Sequence, residues 1–298
     1  MSTGGGFNLK KTLAVITILS LPAILTFTGN NFNHSQAALW TQPRNPPDDP
    51  DVDAALIRKA REAEWADRNL TVRKDVCKYE SDIPTPPPKM KVALTFDDGP
   101  ESSQTPYILE TLDKYHIHAS FFMIGQKAKG SPGMVRTVAS HGHLIIGNHS
   151  WTHPNFHDIS ALAQAKEVLL NENLLGSHFR PKLFRYPYGN SSCTTNDLLH
   201  SRGYKIVGWH VDSCDWGFNK TGTVSETDAK ICGVEPQFRS NFVGHVVASL
   251  EGRRGGILLM HEIQPHTIRQ LETIIKDLIA AGFDFGTLDE EDFQSSLR

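Results

Sequence analysis

From residue 90 to the C-terminus, short apolar runs alternate with longer stretches of helical pattern, and this alternation constrains the fold most. Strands that are almost continuously apolar and separated by helices form parallel sheets covered on both faces. Seven such runs over about 200 residues predict one α/β domain, an incomplete and distorted (β/α) barrel, rather than two domains. The runs are KVALTF, HASFFMIG, GHLIIGNH, KLFRYP, YKIVGWHV, GILLMH and FDFGTL.

Residues 90–298 therefore form one predicted domain, and residues 38–89 precede it as a predicted linker. Within that linker, residues 52–70 are strong helix formers with one apolar side, and residues 83–89, IPTPPPK, form a stiff proline-rich connector. The helices predicted inside the domain lie near residues 103–116, 132–141, 159–176, 195–202, 240–251 and 265–281.

Residues 1–37 have the pattern of an export signal. Lys10 and Lys11 precede an apolar stretch over residues 12–28, and Ser35 and Ala37 occupy small-residue positions before a cleavage site. The alternative is an uncleaved membrane anchor, although this stretch contains a proline and is short for a span. We therefore expect an exported protein, periplasmic or secreted, that stays membrane-anchored if the signal is retained.

The charge balance excludes one class of partner. The net charge is −3 with 21% charged residues, and this gives no basic footprint for nucleic acid. A neutral or weakly charged substrate fits this balance better. We expect the protein to be a monomer.

Polar side chains cluster directly after several predicted strands. In barrels of parallel strands, this end is where the chemistry takes place. Five motifs contain these residues and two apolar neighbours, Trp216 and Leu259. The candidates are Asp97 and Asp98 in TFDDGP, His149 and His153 in HSWTHP, Arg185 and Tyr188 in RYPYG, Asp215 and Trp216 in DSCDW, and Leu259 and His261 in LLMH.

The adjacent aspartates and the spaced histidines together suggest a metal site. His149 and His153 are four residues apart and can share a cation if they lie on one helical turn, although among 14 histidines such a spacing alone is weak. A carboxylate that completes an open His-His-Asp site is stronger, because three ligands leave room for water and substrate. One aspartate can then bind the cation while its neighbour takes a proton from the attacking water, and the cation relieves the repulsion within the pair.

In this order, the five motifs resemble those of the NodB-homology polysaccharide deacetylases, carbohydrate esterase family four. The resemblance covers roughly residues 90–298 and implies a distorted barrel of about seven βα units, in agreement with the strand pattern. It also implies a metal-dependent hydrolase that removes acetyl groups from a glycan polymer. The implied cofactor is zinc, with cobalt or nickel as substitutes.

The resemblance implies a role for each residue of the five motifs. Asp97 matches the general base, and Arg185 matches the arginine that orients it. The backbone N–H of Tyr188 matches an oxyanion donor. The remaining roles are metal ligands for Asp98, His149 and His153, walls of the acetyl pocket for Trp216 and Leu259, general acid for His261 and a partner that tunes the pKa of that acid for Asp215.

Hydrolysis of an N-acetyl group needs an activated water, stabilisation of the oxyanion and a proton for the leaving amine, and each requirement has a candidate here. We expect an exported chain to act first on peptidoglycan, with chitin-like oligomers and acetylated xylan as alternatives.

Two other classes remain open: a non-haem iron oxygenase, which also uses two histidines and a carboxylate, and a non-catalytic carbohydrate-binding barrel. The presence of both Asp97 and His261 argues against each.

The four cysteines predict two disulfide bonds, because an even count in an exported protein is typical of paired thiols. Three connectivities are open, and free thiols are the alternative. We favour Cys214 with Cys232, which leaves Cys77 with Cys193. The first pair would fix the long insert at residues 217–250 beside the DSCDW motif. The length of this insert is one departure from the family pattern. Glu262, at a position where aspartate is more common, is another.

Overall fold

The computed structural model describes Cys77, Glu80, Ser81 and the ranges 83–218 and 220–298. The predicted export signal, the predicted helix at 52–70 and most of the predicted linker lie outside the described residues. Within these ranges, no helix is both long and apolar enough to cross a membrane.

The strands form one parallel sheet, as the apolar runs predicted. The strand order is β5-β4-β3-β2-β1-β7-β6, and β8 pairs with the first two residues of β1. The long central strands β1 and β7 run side by side in register, with Asp97 opposite His261 at their carboxyl ends. The bounds are β1 Lys91–Gly99, β2 Ala119–Met123, β3 Leu144–Asn148, β4 Leu183–Phe184, β5 Lys205–Ile206, β6 Val211–Asp212, β7 Gly255–His261 and β8 Asp284–Phe285.

All six helices predicted inside the domain form, each with ends close to the predicted ones. Three further helices were not predicted, because each is too short to show an apolar period. They are Gly125–Gly130, Glu226–Cys232 and Glu291–Gln294. The bounds are α1 Thr105–Tyr115, α2 Gly125–Gly130, α3 Pro132–Ser140, α4 Ala161–Leu175, α5 Cys193–Ser201, α6 Glu226–Cys232, α7 Phe242–Arg253, α8 Pro265–Ala280 and α9 Glu291–Gln294.

The run YKIVGWHV is not one continuous strand, and this break explains why the barrel is incomplete. Its first part, β5, pairs with β4, and its last part, β6, pairs with β7, so the run joins the two edges of the sheet. Between them, Trp209 bonds the segment that precedes the domain: its N–H donates to the Ser81 carbonyl at 2.9 Å, and its carbonyl accepts from the Ile83 N–H at 3.2 Å. Gly208 is needed at this crossing, because a Cβ there would lie 2.2 Å from the Ser81 oxygen.

Side chains of β1 alternate between two cores, as the period of a strand requires. Leu94 and Phe96 pack in the large core beneath the helices. Ala93 packs in a smaller cluster with Phe122 and Ile257. The residues after Ala93 on the same face of the strand are Thr95 and Asp97, and both hydrogen-bond one buried arginine. The alternation thus turns the first aspartate of the pair inward.

Candidate active site

The two aspartates at the end of β1 converge because Asp98 is a β-bulge residue. The register of β1 against β2 shifts between Asp97 and Gly99, and Asp98 has a φ of 70°, in the left-handed region. Bulges of this kind redirect side chains beside active sites. Here Asp97 Oδ2 lies 3.6 Å, and Asp98 Oδ1 lies 3.5 Å, from the same atom, Nε2 of His149.

The three residues predicted as metal ligands lie together. Ligand atoms of Asp98, His149 and His153 are all within 4.8 Å of one another, and no other group of three or more His, Cys, Asp or Glu side chains in the described ranges does the same. Nε2 of His153 is 3.2 Å from Asp98 Oδ1. Burial opposes the ionisation of Asp98, but the neighbouring histidines, His153 foremost, outweigh it and hold the pKa of Asp98 below its usual value.

The chemistry of these atoms fits a divalent cation. Asp98 Oδ1 is buried and has no hydrogen-bond partner. Nδ1 of His149 lies 2.8 Å from the Arg185 carbonyl, which can only accept, so the neutral ring carries its proton there and presents a lone pair at Nε2. Two acceptor atoms that face each other repel unless a cation lies between them. One carboxylate and two imidazoles suit zinc, and cobalt and nickel accept the same atoms.

His153 is fixed by the loop after β3. Ser150 and His153 both have positive φ, 68° and 61°, and the Ser150 hydroxyl accepts the His153 N–H at 3.0 Å. The buried carboxylate of Glu167 accepts hydrogen bonds from the N–H groups of Trp151 and Thr152 at 2.8 and 2.7 Å, and these bonds fix the backbone between Ser150 and His153. Burial lowers the pKa of His153 to about 4, so its ring is neutral at pH 7 and can bind a cation.

Arg185 is fully buried and holds the first aspartate. Its guanidinium donates to Asp97 Oδ1 and to the Thr95 hydroxyl, both at 2.8 Å, and to the Gly208 carbonyl at 3.0 Å. It also lies over the Phe122 ring, 4.3 Å from the centroid. These contacts leave Oδ2 as the oxygen of Asp97 that faces the candidate metal site.

His261, at the end of the neighbouring strand β7, is partly buried and pairs with the fully buried Asp215. Nδ1 of His261 donates to Asp215 Oδ1 at 2.7 Å, and the His261 backbone N–H donates to Oδ2 at 2.7 Å. The Thr267 hydroxyl also donates to Oδ2, and Asp215 is fully buried. Burial alone would lower the pKa of His261, but the charge and hydrogen bond of Asp215 raise it to about 10. The ring is therefore cationic near neutral pH, and its Nε2 can donate a proton.

The remaining predicted residues lie on the same loops and strands. Tyr188 has a φ of 58°, its side chain is 62% exposed, and its ring meets the His153 ring edge-on at 4.9 Å. Trp216 directly follows Asp215 and is 37% exposed. Leu259 is buried on β7, two residues before the histidine of that strand. Tyr188 and Trp216 are thus the large exposed side chains of the predicted set.

Both disulfide bonds that the sequence favoured are present in the structure. Cys77 pairs with Cys193, and Cys214 pairs with Cys232, so the described residues contain no free cysteine. The first bond ties the segment before the domain to α5. The second ties α6, in the insert, to the loop that carries Asp215.

The sequence did not predict the buried residues that support the loops of this site through hydrogen bonds and packing. They show one usable signal, a polar side chain at a helix position where the apolar period predicts core. Glu167 fits this description, because it is fully buried on α4 among leucines and valine. Glu262 was noted only as a departure. It too is fully buried, and burial raises the pKa of its carboxyl group to about 8.

The fold and the site together define a class: parallel half-barrel proteins with a candidate His-His-Asp metal site at the carboxyl ends of the strands. Within that class, residues 85–207 match the family model described as polysaccharide deacetylase. A peptidoglycan-N-acetylglucosamine deacetylase from Bacillus cereus is 32% identical over 210 residues, which cover 67% of this chain and 86% of that protein. The chain belongs to the polysaccharide deacetylase family, and the resemblance inferred from the five motifs is confirmed.

Two further comparisons agree with this family. The peptidoglycan-N-acetylglucosamine deacetylase PgdA of Listeria monocytogenes is 30% identical over 211 residues, which cover 70% of this chain and 40% of that protein. The chain therefore spans less than half the length of that relative. The crystal structure of another peptidoglycan N-acetylglucosamine deacetylase is 28% identical, with a TM-score of 0.57, over 70% of this chain and 91% of that one. The predicted half-barrel fold is confirmed.

Proposed function

We propose that this chain is an exported, metal-dependent hydrolase that removes N-acetyl groups from amino sugars of a glycan polymer, with the N-acetylglucosamine of peptidoglycan as its substrate. The observation that carries the proposal is the arrangement of two proton carriers around one candidate metal site. Asp97 reaches the site with one free oxygen, and His261 lies opposite it in the β1–β7 ladder. Family membership and relatives with this activity support the same reaction.

Asp98, His149 and His153 would hold the cation, and zinc suits them best. A bound zinc ion lowers the pKa of water and stabilises negative charge on a carbonyl oxygen. Asp97 takes the proton from the attacking water through Oδ2, while Arg185 keeps the carboxylate oriented through Oδ1. A base fixed in this way is ready to act without rearrangement.

The other residues act on the acetyl group and the leaving amine. The Tyr188 backbone N–H stabilises the developing oxyanion. Trp216 and Leu259 form the walls of a small apolar slot that admits an acetyl group. His261 gives its proton to the departing amine, and Asp215 keeps that proton available by raising the pKa of the imidazole.

The choice of substrate rests on the relatives and on export. Two relatives from Bacillus cereus that match most of the domain are peptidoglycan-N-acetylglucosamine deacetylases. The two disulfide bonds are typical of proteins outside the cytoplasm, where the cell wall is the nearest acetylated polymer. The non-catalytic alternative is disfavoured, because both the base and the acid are present and oriented by buried partners.

A panel of glycans tests the proposal. Residues 38–298 are incubated with zinc and with peptidoglycan, N-acetylglucosamine oligomers or acetylated xylan, and released acetate is measured. We expect the fastest release from peptidoglycan. Faster release from the oligomers or from xylan would transfer the assignment to that glycan. No release from any of them would overturn the proposed activity.

Replacing Asp215 with asparagine should move the pH dependence of the reaction. The pKa of His261 is raised by Asp215, so the acid form persists through neutral pH and is lost only as the pH approaches about 10. Without that charge, burial lowers the pKa, and the alkaline limb of the kcat/KM profile should move to lower pH. Asp277→Asn, an exposed substitution on α8, is the matched control. An alkaline limb at the wild-type position would show that Asp215 does not tune the acid.

Breaking the Cys214–Cys232 bond should impair turnover more than it impairs folding. The bond ties α6 to the loop with Asp215 and Trp216, so the double change to serine should loosen that loop and raise KM or lower kcat. The comparison is a variant with Cys77 and Cys193 changed to serine, whose bond joins the segment before the domain to α5 and not to this loop. Steady-state kinetics at a temperature where both variants are folded decide the matter. Unaltered kinetics in the first variant would contradict the effect.

A further inference from the structure

Glu262 has no place in the proposed reaction, yet it is the fully buried acid closest in sequence to the proton donor. It follows His261 at the end of β7. Its backbone N–H donates to the Asp97 carbonyl at 2.9 Å, which continues the ladder past the last paired residues. The side chain therefore starts from a backbone position tied to the aspartate pair.

The side chain of Glu262 fills the space beside Gly99. A Cβ built on Gly99 would lie 1.6 Å from Oε1 and 2.1 Å from Cδ of Glu262, so only glycine is compatible with this packing. Gly99 directly follows the bulge residue Asp98. The carboxyl group of Glu262 thus packs against the backbone that gives Asp98 its position.

A hydrogen-bonded bridge extends from Glu262 to the loop between β1 and α1. The Thr105 hydroxyl donates to Oε2 of Glu262. The same hydroxyl accepts the Glu101 N–H at 2.9 Å. Thr105 is fully buried and is the first residue of α1, so the bridge joins the end of β7, the start of α1 and the intervening loop.

The bulge depends on such anchors, because its own conformation is unfavourable. A non-glycine residue with positive φ is energetically disfavoured and persists only where its surroundings fix it. Two other contacts fix the bulge from the opposite side. Lys127 Nζ donates to the Asp98 carbonyl at 2.9 Å, and the Ile124 N–H donates to the Gly99 carbonyl at 2.8 Å. The bridge through Glu262 secures the side that these contacts leave open.

We propose that Glu262 is a positioning residue for the metal ligand Asp98, and that it acts through Thr105 and the packing against Gly99. This inference rests on the proposed metal site, and it assigns Glu262 no contact with substrate. Its consequence is a metal affinity that depends on a residue outside the ligand set. Residues that orient ligands typically change metal affinity by about 10- to 100-fold.

The test measures zinc affinity of the folded protein by competition with a chromophoric chelator. Two variants break the bridge, Thr105→Val and Glu262→Leu, and both keep the approximate size of the side chain. Two conservative variants, Thr105→Ser and Glu262→Gln, keep the hydrogen bond. Thr111→Val, at a partly exposed position of the same helix, is the control. We expect about tenfold weaker zinc binding in the first two variants and affinity close to wild type in the other three.

A purely structural role predicts a different result. In that case the melting temperature of the metal-free protein falls, but the zinc affinity of the folded fraction, measured well below that temperature, stays at the wild-type value. Wild-type affinity in both Thr105→Val and Glu262→Leu would overturn the inference. Weaker binding in Thr105→Val alone would also overturn it, because Thr105 would then act without Glu262. If wild-type protein binds no zinc, the metal site itself fails; if it binds zinc but releases no acetate, only the proposed reaction fails.

Discussion

Asp97→Asn should retain zinc and lose turnover by about a hundredfold to ten-thousandfold, the range that a general base contributes. Asparagine keeps the size of the side chain and can still accept the hydrogen bond from Arg185, but its amide cannot take a proton from water. The proposed zinc ligands are other residues, so the metal content should be unchanged. The measurement pairs acetate release with zinc content on the same preparation.

Asp277→Asn is the control for this substitution, because it makes the same change on an exposed helix position. If zinc content fell together with activity, Asp97 would be a ligand, and the division of labour within the aspartate pair would be wrong. Wild-type turnover in Asp97→Asn would remove the base from the mechanism altogether.

His149→Ala should remove the metal and, with it, all measurable activity. Nε2 of His149 is the proposed ligand atom, both aspartates approach it, and the Arg185 carbonyl orients the ring. Since loss of an orienting residue alone costs about 10- to 100-fold in metal affinity, loss of a ligand should cost more. Zinc content after dialysis, measured by atomic absorption, checks this.

His200→Ala, an exposed substitution on α5, is the control for the removal of an imidazole. The melting temperature of metal-free His149→Ala must also be compared with that of the metal-free wild type, because the side chain is buried. Zinc retained at the wild-type level in a folded His149→Ala protein would contradict the assignment of this ligand.

The apolar periodicity predicted the strands because a parallel sheet covered on both faces needs nearly continuous apolar runs. The polar motifs directly follow the predicted strands. Because all strands of a parallel sheet end on the same side, these motifs were expected to meet at one end of the sheet. The break between β5 and β6 was not predictable, because YKIVGWHV has apolar residues on both sides of Gly208 and no proline. It depends on Ser81 and Ile83, which bond this run from a distant part of the chain.

The candidate site residues could be named from the sequence, but the geometry that brings them together could not. Asp98, His153 and Tyr188 all have positive φ, a conformation that no sequence pattern indicated, because glycine usually occupies such positions. The buried residues that support them could not be predicted from the sequence either. Glu167 and Glu262 act from buried positions that only the packing of helices and strand ends creates.

Acetate release from peptidoglycan, measured before and after zinc is stripped and restored, decides whether this chain is a metal-dependent hydrolase. Residues 38–298 are dialysed against a chelator, assayed, reloaded with one equivalent of zinc and assayed again, with His149→Ala treated in parallel. Release should stop on stripping, return on reloading and never occur in the variant. Undiminished release by the stripped wild-type protein would contradict a metal-dependent hydrolase.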